Sequence, residues 1–222
     1  MNPVEVYYFK SGKSTAYLRQ SVDGSGVVET TKVLKNYTPS LKWNFLKQIH
    51  GSEVIFIDAN KSVLPEGDAL VSAKKSQGLA VFGGDCPGLA IDAGGAFGLA
   101  HCGWRGTVKG VVENLFLELR NQSEEKLSDW EAFIGPSICG NCYEVDAAVL
   151  EAYNWPESAL VWEKEGKAGL DLREAIRFKL IQLGLKEEQI ALSTCCTFER
   201  EDLHSYRQSG KGVNQLLCME QS

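Results

Sequence analysis

The apolar runs Leu89 to Ile91 and Phe97 to Ala100 flank Asp92-Ala93-Gly94-Gly95, a pattern that predicts two antiparallel strands joined by a tight turn. The midpoint between residues 86 and 101 falls inside that turn. Folding the chain about it brings Cys86 and His101 level at the open end of the hairpin, so their side chains are expected to be neighbours. The chain has three histidines, and two of them, His50 in KQIHG and His101 in HCGWRG, bracket Cys86 in GGDCPG.

One cysteine with two histidines is an accepted protein ligand set for catalytic zinc, which keeps its fourth position open. Zinc held in this way lowers the pKa of its bound water toward ~7 and polarises a substrate oxygen or nitrogen. Gly83 and Gly84 permit close backbone approach, and Asp85 is expected to orient a ligating imidazole. The residues alone leave two alternatives open. Cys86 can serve as a thiolate nucleophile with His101 or His50 as its base. Equally, the histidines can be satisfied core or loop residues and Cys86 a small buried hydrophobe.

Gly103-Trp104-Arg105-Gly106-Thr107 opens a predicted helix, where unpaired backbone N–H groups favour an anion and Arg105 adds a planar fork suited to phosphate. Trp104 can stack on a flat ring or simply join the core, and Thr107 can act as an ordinary cap. Val108, Val111, Val112, Leu115 and Leu119 recur at helical spacing from Thr107 to Arg120, leaving Lys109, Glu113 and Glu118 for water. Strands are expected at Val4 to Phe9, Glu53 to Ile57, Ala69 to Val71, Leu79 to Phe82, Trp130 to Ile134 and Ile190 to Thr194. Asp146 is expected to cap a helix through Tyr153, and Asp171 another through Leu183 with Gly184 as its stop. Hairpins interspersed with helices predict an α/β fold, a mixed sheet with flanking helices.

A chain of 222 residues, 44% hydrophobic and 23% charged, suits one substantial core, and residues 1–222 are read as a single catalytic domain. A net charge of -6 without clustered Lys and Arg argues against nucleic acid as a partner. No run reaches the roughly 18 apolar residues of a membrane span, and the N-terminus lacks the order of a signal peptide, so a cytoplasmic protein without membrane contact is expected. Seven cysteines in such a chain read as reduced thiols. Cys139-Gly-Asn-Cys142 has zinc-knuckle or redox spacing, and Cys195-Cys196 in principle complete four sulfurs. Adjacent cysteines are poor geometry for one tetrahedral ion, however, so buried thiols are the expectation there. Asp202 to Arg207 gathers polar groups and reads first as a solvated loop.

KQIHG, GDALVS, GDCPG before an apolar strand, HCGWRG opening a helix, GPSICGNCYEV, and a late CT followed by HSYR occur in order from about residue 43 to 212. In these motifs the chain resembles the family known variously as laccase-domain proteins, peptidoglycan editing factor and multifunctional purine nucleoside phosphorylase. The resemblance implies an α/β fold with a mixed sheet and one zinc held by His50, Cys86 and His101 in a pocket at the strand ends. It implies phosphorolysis of adenosine, inosine, guanosine or methylthioadenosine with phosphate to base plus ribose 1-phosphate, and in some members deamination of adenosine. It also implies an alternative, an amidohydrolase that edits peptidoglycan precursors. We assign His50, Cys86, His101 and Arg105 to catalysis and Gln48, Trp104 and Arg105 to substrate binding, with phosphate at Arg105. A third, non-enzymatic reading is a metal-binding interaction module.

The chain departs from the family at Cys102, where a small residue is usual and a thiol is expected beside the site. It departs also at Gly84, where alanine is more usual, at the CPG sequel to the motif, and in a short N-terminal segment. A four-copper oxidase is excluded by the histidine count, since imidazole is the ligand that suits copper and three histidines cannot furnish several copper centres. A single adventitious copper in the zinc site is compatible with the same donors.

Overall fold

Alternation along fully buried strands sets the layers. Every residue of β5 (Ala69–Ser72), β7 (Gly88–Asp92) and β8 (Phe97–His101) is buried. Ala69, Val71, Leu89, Ile91 and Ala100 belong to one apolar cluster, and Leu70, Ala90, Phe97 and Leu99 to another on the opposite face. A strand covered on both faces reads as a continuous apolar run, which is how these segments look in the sequence. The computed structural model describes residues 5–10, 13–20, 34, 36, 38–57, 64–210 and 215–221.

With β4 (Val54–Phe56), β9 (Glu131–Ile134) and β13 (Ile190–Leu192), these strands form a six-stranded sheet of order β13-β9-β7-β8-β5-β4. A five-stranded sheet stacks on it. That sheet contains β1 (Glu5–Tyr8), β2 (Ser14–Gln20), β3 (Lys42–Asn44), β6 (Gln77–Gly83) and β14 (Gln215–Gln221), in the order β1-β2-β14-β6-β3. Leu79, Val81, Leu217 and Met219 from the five-stranded sheet pack against Leu70, Leu99 and Phe133 from the six-stranded one. β4 with β5, β9 with β13 and β3 with β6 run parallel, while the remaining pairs are antiparallel. The expected α/β fold with a mixed sheet in a single domain is therefore present, as more than one sheet.

Helices cover the far face of the six-stranded sheet. α1 (Trp104–Lys109) and α2 (Val111–Gln122) follow β8, and Val111, Val112, Leu115 and Leu119 face the sheet. The single helix expected over Thr107 to Arg120 is broken: Gly110 adopts φ 93, ends α1 and starts α2. Apolar spacing runs through the break, so periodicity alone does not reveal it; only glycine adopts this backbone freely. Glu113, expected to face water, is ion-paired at 2.5 Å with the buried Lys179. α3 (Ala147–Glu151) starts at Asp146, which accepts from Val149 N, and ends short of Tyr153. α4 (Leu172–Gln182) starts at Asp171 and stops before Gly184, as expected. A small sheet of β10 (Glu144–Val145), β12 (Lys167–Leu170) and β11 (Leu160–Lys164) packs beside α3 and α4, and a last helical turn is α5 (Tyr206–Ser209).

The expectations omitted β2, β3, β14 and the small sheet; β14 carries the apolar run Leu216 to Met219, while the other strands are short or mixed in character. Val4, the expected start of the first strand, lies outside the described residues. No helix among the described residues is long and apolar enough to cross a membrane.

Candidate active site

The β7–β8 hairpin pairs Gly88 with His101 and Leu89 with Ala100, so its axis lies one residue later than the sequence midpoint suggests. Cys86 is not level with His101 but two residues before its partner, just ahead of β7. The expected proximity holds nonetheless, because the ligand atoms of His50, Cys86 and His101 all lie within 4.8 Å of one another. The two imidazoles meet edge to face, with ring centroids 4.8 Å apart.

Asp68, at the foot of β5, organises both histidines. Its fully buried carboxylate lies 2.9 Å from His101 Nδ1 and accepts from the backbone N–H groups of Ile49, His50 and Gly51. The loop carrying His50 is thereby wrapped around one side chain, and His50 is held at φ 55, a left-handed conformation that few residues other than glycine adopt. Occupation of Nδ1 leaves Nε2 as the available donor of His101. A carboxylate behind a ligating imidazole is a recurring support in metal centres.

Asp85, expected in that role, has a different one. It accepts from Thr197 Oγ1 and from Arg207 N, both at 2.7 Å, and so ties the GGDC loop to the chain segment around α5. The sequence carries a hint of Asp68, which precedes an apolar strand in GDALVS, but only pairing of β5 with β8 puts it behind His101.

Burial alone would push the Cys86 thiol up, yet hydrogen bonds and charge from His101 and His50 outweigh it and hold the group at about 6. Burial would likewise lower His101, but Asp68 and Cys86 raise it to about 9. Both shifts favour a thiolate beside an imidazolium when no cation is bound. Such a thiolate suits both metal ligation and nucleophilic attack. Room for an ion is provided at Gly103, where a Cβ would stand 2.9 Å from Cys86 Sγ and 3.2 Å from a His50 ring carbon. The donor set and this cradle fit a small divalent cation.

The three donors line a cleft of about 630 Å³, within the usual size range of small-molecule sites. Trp104 and Arg105 also line it, with the Arg105 guanidinium stacked 4.4 Å over the indole, so one face of Trp104 is already taken. Gln48 is at the wall, but its amide bonds both the N–H and the carbonyl of Phe82, at 2.7 and 2.9 Å. It braces the pocket wall with one donor and its amide oxygen. Cys102, expected beside the site, points into the core and is fully buried. An alanine Cβ at Gly84 would find ordinary contacts of 3.5 Å or more, so this departure from the family only adds a methyl-sized space.

Tyr143, Ile138, Tyr206 and Arg207 complete the cleft and were not among the expected site residues. Burial pushes Tyr143 up to about 12, with Arg207 and Arg105 close enough to oppose the shift. The Arg207 guanidinium lies 5.1 Å over the Tyr143 ring and donates to the Glu144 carbonyl. Both guanidinium groups thus line the same cleft as this phenol. α1 is only six residues long because of Gly110, so its dipole adds less to anion binding than a long helix would.

An α/β protein with a Cys/His/His pocket at its strand ends is the class that the fold and site define. A family model described as multi-copper polyphenol oxidoreductase laccase matches residues 22–217, and the chain belongs to that family. It is 34% identical over 191 residues to the purine nucleoside phosphorylase YlmD of Bacillus subtilis, covering 79% of this chain and 69% of that protein. The crystal structure of YlmD from Geobacillus stearothermophilus matches with a TM-score of 0.84 and 26% identity, over 94% of this chain and 92% of that one. The hypothetical protein YfiH of Bacillus licheniformis shares the fold with a TM-score of 0.84 at 22% identity, over 94% of this chain and 93% of that chain.

Proposed function

We propose that the chain is a zinc-dependent purine nucleoside phosphorylase acting in the cytoplasm. The observation that carries this reading is the presence, in one cleft, of His50, Cys86 and His101 together with Arg105 and Arg207. The naming of relatives as purine nucleoside phosphorylases supports it.

In this reading His50, Cys86 and His101 hold zinc, which when bound supplies Lewis-acid polarisation of a substrate atom. Asp68 keeps His101 oriented. Arg105, with Arg207 across Tyr143, binds phosphate by charge-assisted hydrogen bonds and neutralises its oxygens as they approach the sugar. The indole of Trp104 flanks the base. One phosphate oxygen forms a bond to C1′ of the ribose, the bond from C1′ to the purine nitrogen breaks, and the departing purine takes up a proton. The products are free base and ribose 1-phosphate. Adenosine, inosine, guanosine and methylthioadenosine are the proposed substrates, and deamination of adenosine is the proposed second reaction.

The test is product analysis by mass spectrometry after incubating zinc-loaded protein with each nucleoside, with and without phosphate, alongside Cys86→Ala. The expected result is base plus ribose 1-phosphate only when phosphate is present, lost in the variant. Absence of any phosphate-dependent product overturns the reading, and turnover of a peptidoglycan-precursor amide in its place would establish the amidohydrolase.

A further inference from the structure

A second group of metal-binding side chains lies outside the cleft. The sequence brings Cys139 and Cys142 together on one tight turn, in which the N–H groups of Cys142 and Tyr143 both donate to the Cys139 carbonyl. Cys196 and Glu199 repeat the same spacing some 60 residues later. The turn carrying them is joined to the first by a parallel bridge between Ser137 and Cys196 and by a bond from Thr197 N to the Ser137 carbonyl. The donor atoms of Cys139, Cys142, Cys196 and Glu199 all lie within 4.8 Å of one another.

The separations from Glu199 are those of a tetrahedral site. Bond lengths of about 2.3 Å to sulfur and 2.0 Å to a carboxylate oxygen give tetrahedral edges of about 3.5–3.8 Å. Glu199 Oε1 is 3.5 Å from Cys142 Sγ and 3.9 Å from Cys139 Sγ. Cys139 N donates to Cys196 Sγ at 3.3 Å, the kind of bond that supports a ligating thiolate. Cys195 is excluded from the group, since its sulfur accepts from Arg200 at 3.1 Å. The sequence objection to adjacent cysteines is removed because only one of the two turns inward.

Arg173, 7% exposed, donates to the carbonyls of Ser193 and Cys195 and pins the segment leading to Cys196. Three sulfurs and one oxygen gathered within 4.8 Å of one another select zinc over magnesium or calcium, which prefer all-oxygen sites, and four protein donors leave no open position.

We propose that Cys139, Cys142, Cys196 and Glu199 form a structural zinc site, distinct from the cleft, that clips the turn after β9 to the turn after β13. Ile138 and Tyr143, which wall the cleft, flank the first knuckle, so the ion holds that wall in place. This site does not depend on the phosphorylase reading.

The experiment uses the full chain with His50→Ala and Cys86→Ala, which removes two of the three cleft donors. After zinc loading under reducing conditions and desalting, elemental analysis is expected to give about one zinc per chain, against none when Cys139→Ser and Cys142→Ser are added. Cobalt loading of the His50→Ala, Cys86→Ala protein is expected to give thiolate-to-cobalt charge-transfer absorption and tetrahedral ligand-field bands. Should the multiple variants fail to fold, native mass spectrometry of the unaltered chain beside the Cys139→Ser, Cys142→Ser protein reads the same question, with one bound ion fewer expected in the variant. Retention of no metal by the cleft variant, equal numbers of ions on the unaltered chain and on the Cys139→Ser, Cys142→Ser protein, or a Cys139–Cys142 disulfide in anaerobically prepared protein would each overturn the proposal.

Discussion

Asp68 and His101 are joined twice across adjacent strands: His101 N donates to the Asp68 carbonyl at 2.8 Å, and the ring Nδ1 lies 2.9 Å from the Asp68 carboxylate. One residue thus sets the strand register at the foot of β5 and the orientation of a candidate ligand. The same carboxylate collects three N–H groups of the His50 loop. Replacement by alanine leaves those donors and the imidazole unsupported. Asp68→Ala is expected to weaken zinc binding at the proposed centre by about 10–100-fold. Chelator competition measures it, and an unchanged affinity would show that Asp68 does not position the ligands.

Gly103 has φ −63 and ψ 161, backbone angles open to any residue, so an alanine there meets only a space problem. Its Cβ would press on Cys86 Sγ at 2.9 Å. Gly103→Ala is expected to keep the circular dichroism and melting profile of the parent while losing most of its zinc affinity and turnover. Full metal retention by the variant would mean that the cradle is looser than these contacts imply.

Metal-free protein is expected to be alkylated by iodoacetamide at Cys86 with a rate that rises through pH about 6, because the folded thiol is depressed below its usual value. His101 is raised to about 9, so its proton competes with zinc at neutral pH. Zinc affinity should then rise roughly tenfold per pH unit between about 6 and 9 and level off above, with proton release on binding. Potentiometric or calorimetric titration at several pH values checks this; a flat profile contradicts the protonated imidazole.

Arg105 and Arg207 both line the cleft that holds Tyr143. Arg105→Ala is expected to raise the KM for phosphate at least tenfold, consistent with loss of a charge-assisted contact of about 1.5–3 kcal/mol, while the KM for nucleoside changes little. Steady-state kinetics with phosphate varied settles the assignment, and an unchanged phosphate KM removes Arg105 from it.

Gly110 at φ 93 separates α1 from α2. Gly110→Ala is expected to destabilise the fold by about 1–2 kcal/mol, the cost of left-handed backbone in a residue with a Cβ. Urea unfolding should show a lower midpoint at unchanged slope. A stabilised variant would instead indicate that the two helices can merge into the continuous one that the apolar spacing suggests.

Local pattern was enough to determine the β7–β8 hairpin, the caps at Asp146 and Asp171, the buried strands and the candidate donors, because each rests on nearest-neighbour backbone chemistry or on apolar periodicity. Cys86 and His101 were legible as a pair for the same reason: a tight turn separates them by a few strand residues. Their register was off by one residue, since turn length depends on how Gly94 and Gly95 close it. Asp68 behind His101, Arg207 beside Tyr143, and Glu199 completing three sulfurs were decided only by the tertiary structure. Each joins segments tens of residues apart through strand order and sheet stacking, and no local preference encodes which distant strand becomes a neighbour. Asp85 makes the same point in reverse: proximity to Cys86 along the chain suggested an imidazole partner, but the carboxylate's direction was set by Thr197 and Arg207, which only the folded chain brings within reach.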